Sequence, residues 1–345
     1  MKIFIPYEKC IFCNSNKLII QKNIKFTSNF YVKAITDDLN LKKKKLEKIR
    51  TYKCEKCHVL QNSPWFTRQI SNKIYNNIYG QHNRSWDNLI KFVSKKEFPK
   101  HGRLFEMLIK NIKIKKYAEF GSPFMGLFLN FYSSENDFKK KINQKLFSNT
   151  LEYLKSRQVA GKNANSRKSS MLKAKKALKI IKRIRKKLKG RKLITKKYLF
   201  NDNSGLSWGQ NDNFESVNSR SLASELLNVK LFEMETKKFK SYFDLFGIFH
   251  SLDHTFYPKK VLNFALQSSN LVIVYCHTNK ELSKQHLFSF TNDFLKFLKK
   301  QKIYTIDLTN KIKKNFHSPE MYFLCSKKKR EINKLNLIYN LSNNI

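Results

Sequence analysis

Seven short apolar runs recur along the C-terminal two-thirds of this chain, and their rhythm constrains the fold more than any other feature. They are Tyr117–Phe120, Tyr198–Phe200, Val229–Phe232, Phe243–Phe249, Leu271–Tyr275, Tyr304–Leu308 and Met321–Cys325. Several alternate with helical stretches, notably Lys259–Gln267 and Thr291–Lys299. Strands separated by helices predict an α/β fold with a mostly parallel sheet covered on both faces. Leu271–Tyr275 is apolar at every position, as a central strand buried on both faces requires. Upstream, Ile74, Ile78, Leu89, Phe92, Leu104, Leu108 and Ile112 recur at mixed three- and four-residue spacings, a helical pattern. A chain of 345 residues can hold one small module and one large domain, each with its own core. No internal repeat is evident.

No run approaches 18 consecutive apolar residues, so no membrane-spanning helix is expected. The apolar run at Met1–Pro6 is too short for a signal peptide, which makes the cytoplasm the default compartment. The net charge of +45 would draw nucleic acid, anionic lipid or another polyanion. Yet the 70 basic residues are 59 Lys and only 11 Arg, in a chain also rich in Asn, Ile and Phe. An AT-rich genome would write that mixture on any solvated surface, and Arg, the better bidentate phosphate reader, is scarce. Selection and genomic bias both remain open as its source.

About 75 residues separate the first two strand runs, where a βα unit needs only about 30. The excess contains a polar linker at 161–170 and then a basic run. From Arg167 to Lys197 there are 16 Lys or Arg and no acid. Ala174, Ala177, Ile181, Ile184 and Leu188 recur every three or four residues, predicting an amphipathic basic helix that stops near Gly190. Such a helix suits an anchor on anionic lipid at the inner membrane surface, a lid over a site, or a nucleic-acid contact. The segment has no aromatic side chain for base stacking, which favours the surface and lid roles.

Cys10 and Cys13 form one C-x-x-C pair, and Cys54 and Cys57 form another. The two-residue gap lets both thiolates of a pair face one point, so two pairs can close a tetrahedral zinc site. A disulfide is disfavoured in a reduced compartment, and a redox motif needs only one pair. A closed four-thiolate site is structural, so zinc is expected here without a chemical role. His58 is a spare ligand at most, and Cys276 and Cys325 read as small buried hydrophobes within strands.

The stretch from Tyr117 to Leu129 reads as a strand ending in Glu119, a turn through Gly121, and a return through Gly126 into a helix start. Glycine serves where backbone must approach a ligand or take positive φ, and the helix amides that follow can face that ligand. The same glycines can equally serve a structural strand-to-helix turn.

In context, this stretch resembles the first motif of the class I S-adenosylmethionine-dependent methyltransferases, acidic-x-Gly-x-Gly-x-Gly. Ser122-Pro123-Phe124 stand at the middle glycine. Phe243–His250 resembles that family's fourth strand with its leading Phe-Asp, and Ser251–Pro258 the Leu-Glu-His…Pro segment after it, with Asp for Glu. Lys284–Phe290 resembles its Gln-His-Leu…Phe-Ser segment. The N-terminal pairs, with Tyr75, Tyr79 and His82 following, are similar to the zinc-knuckle subgroup that methylates carbon atoms of deoxysugar nucleotides. The resemblance implies a Rossmann-like, seven-stranded, mostly parallel sheet preceded by a small zinc-knuckle module. It implies S-adenosylmethionine as cofactor, held by Glu119, Gly121, Gly126 and Asp202, the last on the ribose hydroxyls.

The expected organisation is a zinc module at 1–70, a helical connector at 71–114, a methyltransferase domain at 115–330 with its basic insertion at about 135–195, and a tail at 331–345. His254 is the candidate acid/base residue, because imidazole works near neutral pH, and Asp253 its orienting neighbour. Equally, Asp253 can cap the helix starting near Pro258, with His254 packed beneath it. Tyr75, Tyr79, His82, Arg84 and His286 are candidate acceptor contacts, Arg84 suiting a phosphate of a sugar nucleotide. The expected function is methyl transfer to a small, sugar-derived acceptor. The alternatives are an RNA methyltransferase using the basic surface and a degenerate methyltransferase fold kept as a scaffold.

Overall fold

The computed structural model describes residues 3–21, 49–73, 108, 112–120, 196–201, 230–234, 241–249, 251–253, 255–278, 287–309 and 320–341. The strands in chain order are β1 (Phe4–Ile5), β2 (Leu18–Ile20), β3 (Arg50–Cys54), β4 (Leu60–Ser63), β5 (Trp65–Phe66), β6 (Lys116–Phe120), β7 (Lys196–Asn201), β8 (Lys230–Glu233), β9 (Phe243–Phe249), β10 (Ser269–His277), β11 (Phe288–Ser289), β12 (Tyr304–Asp307) and β13 (Glu320–Ser326). The described helices are α1 (Arg68–Lys73), α2 (Pro258–Ser268), α3 (Asn292–Lys300) and α4 (Lys329–Leu341).

Every one of the seven apolar runs becomes a strand of one sheet, in the order β12-β13-β10-β9-β6-β7-β8. Neighbours from β8 to β10 are parallel, β13 is antiparallel to β10, and β12 is antiparallel to β13. The sheet is therefore mixed but mostly parallel, a Rossmann-like arrangement. From β6 the chain builds outward through β7 and β8, then crosses back to lay β9 on the other side of β6. The strand order thus reverses between β6 and β9. Asp244 pins this junction at the strands' amino ends, its Oδ2 accepting the amides of Lys115 and Lys116 at 2.7 and 2.9 Å.

Alternation along the strands sorts side chains onto two faces. One face carries Ala118, Phe120, Phe246, Ile248, Val272, Val274, Cys276, Met321, Phe323 and Cys325, all within a single apolar cluster. α2 covers it with Pro258, Val261, Leu262, Ala265 and Leu266, a stripe at i, i+3, i+4, i+7 and i+8. Pro258 suits the first turn, where its missing N–H has no partner to lose. α3 adds Phe294, Leu295, Phe297 and Leu298. Cys276 and Cys325 are buried in β10 and β13, and burial pushes both thiols up, Asp253 adding to the effect on Cys276.

The N-terminal module is built on a second sheet, β11-β4-β3-β2, and on a short β1–β5 pair. β11 belongs by sequence to the stretch after β10, yet it pairs antiparallel with β4, Phe288 facing Gln61 and Ser289 facing Leu60. A division of the chain near residue 70 therefore cuts across a shared sheet. The C-terminal stretch also departs from expectation: 331–345 reads as a tail, but through Leu341 it is the helix α4, packed on β12 and β13. Ile332 and Leu335 are its buried contacts. Of the connector expected at 71–114, residues 74–107 and 109–111 lie outside the described residues, as does the basic insertion at about 135–195; Lys196 and Lys197 enter β7. No described helix is long and apolar enough to cross a membrane.

Candidate metal centre and the carboxyl edge of the sheet

The four cysteines Cys10, Cys13, Cys54 and Cys57 converge, with all sulfur atoms within 4.8 Å of one another. Cys10 and Cys57 Sγ are 3.4 Å apart, and Cys13 and Cys54 Sγ are 3.5 Å apart. Tetrahedral zinc with bonds of about 2.3 Å places thiolates about 3.8 Å apart, so the cluster fits that ion. Each pair has the same local build. The amide after the second cysteine bonds back to the first cysteine's carbonyl, Asn14 to Cys10 and His58 to Cys54, both at 2.8 Å. Asn14 and His58 each take φ 60°, which closes the knuckle. His58 thus acts through its backbone, and its carbonyl accepts the Thr291 hydroxyl at 2.8 Å. Thr291 is the residue before α3, and its hydroxyl holds the module rather than capping its own helix.

Buried Gln61 braces the first knuckle from below. Its Oε1 accepts the Ile11 amide at 2.9 Å and its Nε2 donates to the Lys9 carbonyl at 3.1 Å. Four clustered thiols cannot all ionise without a cation. Cys10, accepting from Cys57, is held down at about 5. Cys57 is pushed up by donating to Cys10 and by burial, and burial with the Cys10 charge pushes Cys13 up to about 12. A divalent ion removes that conflict by stabilising every thiolate at once.

The module sits on the apolar face of the large sheet. The Phe12 ring meets Phe294 edge-on at 4.9 Å, with Phe290 and Phe297 at 6.2 and 6.3 Å. The Asn62 amide donates to the Leu287 carbonyl at 2.8 Å. Beside this contact lies a cleft of about 930 Å³ between residues 6–14 of the module and the outer face of α2, with Met234 beyond the end of β8 also lining it.

In open α/β sheets, ligands bind outside the carboxyl ends of strands where the strand order reverses. Here that point lies between β6 and β9. Glu119 sits near the end of β6, fully buried, its Oε1 accepting the Tyr117 hydroxyl. Gly247 stands opposite it on β9, and a Cβ there would lie 2.5 Å from the Tyr117 hydroxyl and 3.1 Å from Glu119 Cγ. Asp253 is fully buried in the turn after β9, close enough for its charge to act on Cys276. Asp253 does not cap α2: Tyr257 is the N-cap and has no side-chain cap bond. The Thr255 hydroxyl instead accepts the Tyr257 amide at 3.2 Å.

Gly121, Gly126, Asp202, His254, Tyr75, Tyr79, His82, Arg84 and His286 lie outside the described residues. Three of them continue described segments directly. Gly121 follows β6, Asp202 follows β7 and His254 follows Asp253. Register pairs Phe120 with both Phe200 and Ile248, so the carboxyl ends of β6, β7 and β9 lie side by side. The sequence reading missed the cleft residues Tyr7, Lys9, Tyr257, Lys259 and Lys260. Their one signal was the Tyr257-Pro258-Lys259-Lys260 helix entry, which gives no hint of what it faces.

The sequence matches no family model and no curated protein. Among solved structures it aligns with DhpI in complex with SAH at 9% identity, over 71% of this chain and 95% of that one, with TM-score 0.31. The plantazolicin methyltransferase BpumL in complex with SAH aligns at 9% identity, over 75% and 90%, with TM-score 0.33. A Pyrococcus horikoshii protein described as an RNA methyltransferase, PH1948, aligns at 10% identity, over 65% and 78%, with TM-score 0.27. The fold assignment rests on the chain's own strand order and register.

Proposed function

We propose that this chain is an S-adenosylmethionine-dependent methyltransferase of class I fold with a structural zinc module, acting on a small, nucleotide-sugar acceptor. The observation that carries the reading is the reversal of strand order between β6 and β9. It brings the carboxyl ends of β6, β7 and β9 together on one edge, and these are the strands after which the sequence carries Gly121, Asp202 and Asp253-His254. Gly121, Gly126 and Asp202 would hold the cofactor, whose sulfonium supplies an electrophilic methyl group. His254 would take the acceptor proton, with buried Asp253 beside it in sequence fixing the turn. The remaining work is alignment of donor and acceptor. The neighbouring zinc would hold the module's shape and take no part in the chemistry.

Calorimetric titration of the zinc-loaded protein with S-adenosylmethionine and its demethylated product tests the reading. Micromolar one-site binding is expected. A folded, metallated protein that binds neither would leave the degenerate-scaffold alternative in its place. His254→Ala is expected to keep that binding and lose at least about 100-fold in turnover. Wild-type turnover would remove His254 from the mechanism.

A further inference from the structure

The cleft between the metal module and α2 has a lining of mixed chemistry that the methyl donor does not call for. α2 buries its inner stripe against the sheet, so Lys259, Lys260, Asn263 and Gln267 are left on its outer face, all exposed. Across from them run residues 6–14, with Tyr7 and Lys9 on the wall. Glu8 is the one acid among the residues lining the cleft, against Lys9, Lys259 and Lys260. The cleft's lining therefore sets three lysines against one acid, with the buried Cys10 of the metal corner at its inner wall.

It also carries rings. Tyr257 is 44% exposed, one of few large hydrophobic side chains so open among the described residues. Lys260 Nζ lies 5.8 Å from the centre of its ring, so cation and π face are presented together. Phe256 and Phe264 line the same space. Tyr7 contributes a phenol that burial pushes up to about 12, so it stays a hydrogen-bond donor at neutral pH.

Position adds a third element. Tyr257 comes four residues after Asp253, and Met234 directly follows β8, so one end of the cleft opens at the carboxyl edge of the sheet. A ligand seated in the cleft can extend one end toward the proposed site of chemistry. Rings, grouped lysines and an open cleft whose volume of about 930 Å³ falls within the usual range of about 300–1,000 Å³ for small-molecule sites describe an anionic ligand with a flat ring. A nucleic-acid strand would need a continuous basic track rather than a pocket bounded by the module.

We propose that this cleft binds the nucleoside diphosphate portion of the methyl acceptor, the base lying against Tyr257 and Phe256 and the diphosphate meeting Lys259 and Lys260. The proposal rests on the methyl-transfer reading for its acceptor, but its test separates the two. Full-length zinc-loaded protein is titrated with UDP, dTDP, GDP and CDP, with inorganic pyrophosphate, with a short single-stranded RNA, and separately with SAH. At least one nucleoside diphosphate is expected to bind well below millimolar, and tighter than pyrophosphate. The double variant Lys259→Glu/Lys260→Glu is expected to weaken it by at least about tenfold, since like charge replaces a phosphate-binding pair. Tyr257→Ala is expected to weaken it by about five- to tenfold through lost stacking. Both variants should bind SAH as the wild type does, which also shows that they are folded. Nucleotide binding indifferent to the lysine changes would place the nucleotide elsewhere and overturn the proposal. Pyrophosphate binding as tightly as any nucleotide would remove the ring from it. RNA binding lost with the same lysines, without nucleotide binding, would make the cleft a nucleic-acid contact. SAH binding with no nucleotide bound would sink the cleft and leave the methyltransferase standing.

Discussion

The two faces of the large sheet are made of different chemistry. On one, β6, β9, β10 and β13 present an apolar set running from Ala118 to Cys325, and α2, α3 and the cysteine module close over it. On the other, Tyr117, Glu119, Gly247, Tyr275 and Tyr322 bring hydroxyls, a carboxylate and a missing side chain into a fully buried layer. Tyr275 stacks on Tyr322 with ring centres 4.1 Å apart, and Phe249 meets Tyr275 edge-on at 6.5 Å. The first face is a non-directional weld, tolerant of shape but dependent on area. The second depends on particular partners, since a buried polar group that loses its hydrogen bond costs more than the bond contributes. The contrast predicts which substitutions act through the module and which through the sheet.

The largest effect should come from the metal corner that anchors the module to the apolar face. Wild-type protein is expected to carry one zinc per chain by elemental analysis. Cys57→Ser should lose it, along with about 4 kcal/mol or more of stability, because metal binding at such sites is folding free energy. Retained zinc and an unchanged melting temperature would sink the metal assignment. Next, Phe12→Ala removes the ring seated among Phe290, Phe294 and Phe297, at an expected cost of about 3–5 kcal/mol in denaturant unfolding, with zinc retained. A cost below about 1 kcal/mol would mean that the module rests loosely on the sheet.

Smaller effects are expected on the polar face. Gly247→Ala would put a Cβ 2.5 Å from the Tyr117 hydroxyl and 2.6 Å from Phe249. Overpacking of that kind costs about 1–3 kcal/mol. Adding Tyr117→Phe, which removes the nearer atom, should recover part of it. A neutral Gly247→Ala would show that the face has more room than its burial implies. The smallest change should follow Glu119→Gln, which keeps an acceptor for Tyr117 and should cost under about 1 kcal/mol. SAH titration sharpens this case. Unchanged affinity would make Glu119 a packing and positioning group, whereas a tenfold loss at constant stability would give it a cofactor contact.

Strand runs, helix stripes and the metal knuckles were legible in the sequence because each is a local pattern. Phe243–Phe249 forms β9 residue for residue, and α2 extends its expected range by one residue at each end. Both follow from side-chain period and flanking residues within a few positions. The cysteine spacing was equally local within each pair, and chelation geometry left few ways to join the two pairs. The helical nature of 329–341 was missed because its apolar positions are diluted among Lys and Asn, so that packing on β12 and β13 outweighs a weak pattern.

The sequence by itself determined the strands of the large sheet, the helices α2 and α3 and the pairing of cysteines into two knuckles. Only the tertiary structure decided which of them meet. The reversal of strand order between β6 and β9, the loan of Phe288–Ser289 to the module's sheet and the cleft along α2 all join residues far apart in the chain. Thr291 and His58, which share one hydrogen bond, are separated by 233 positions. Such pairings are settled by burial of apolar area and by satisfaction of backbone groups over the whole fold, and no local period in the chain encodes them.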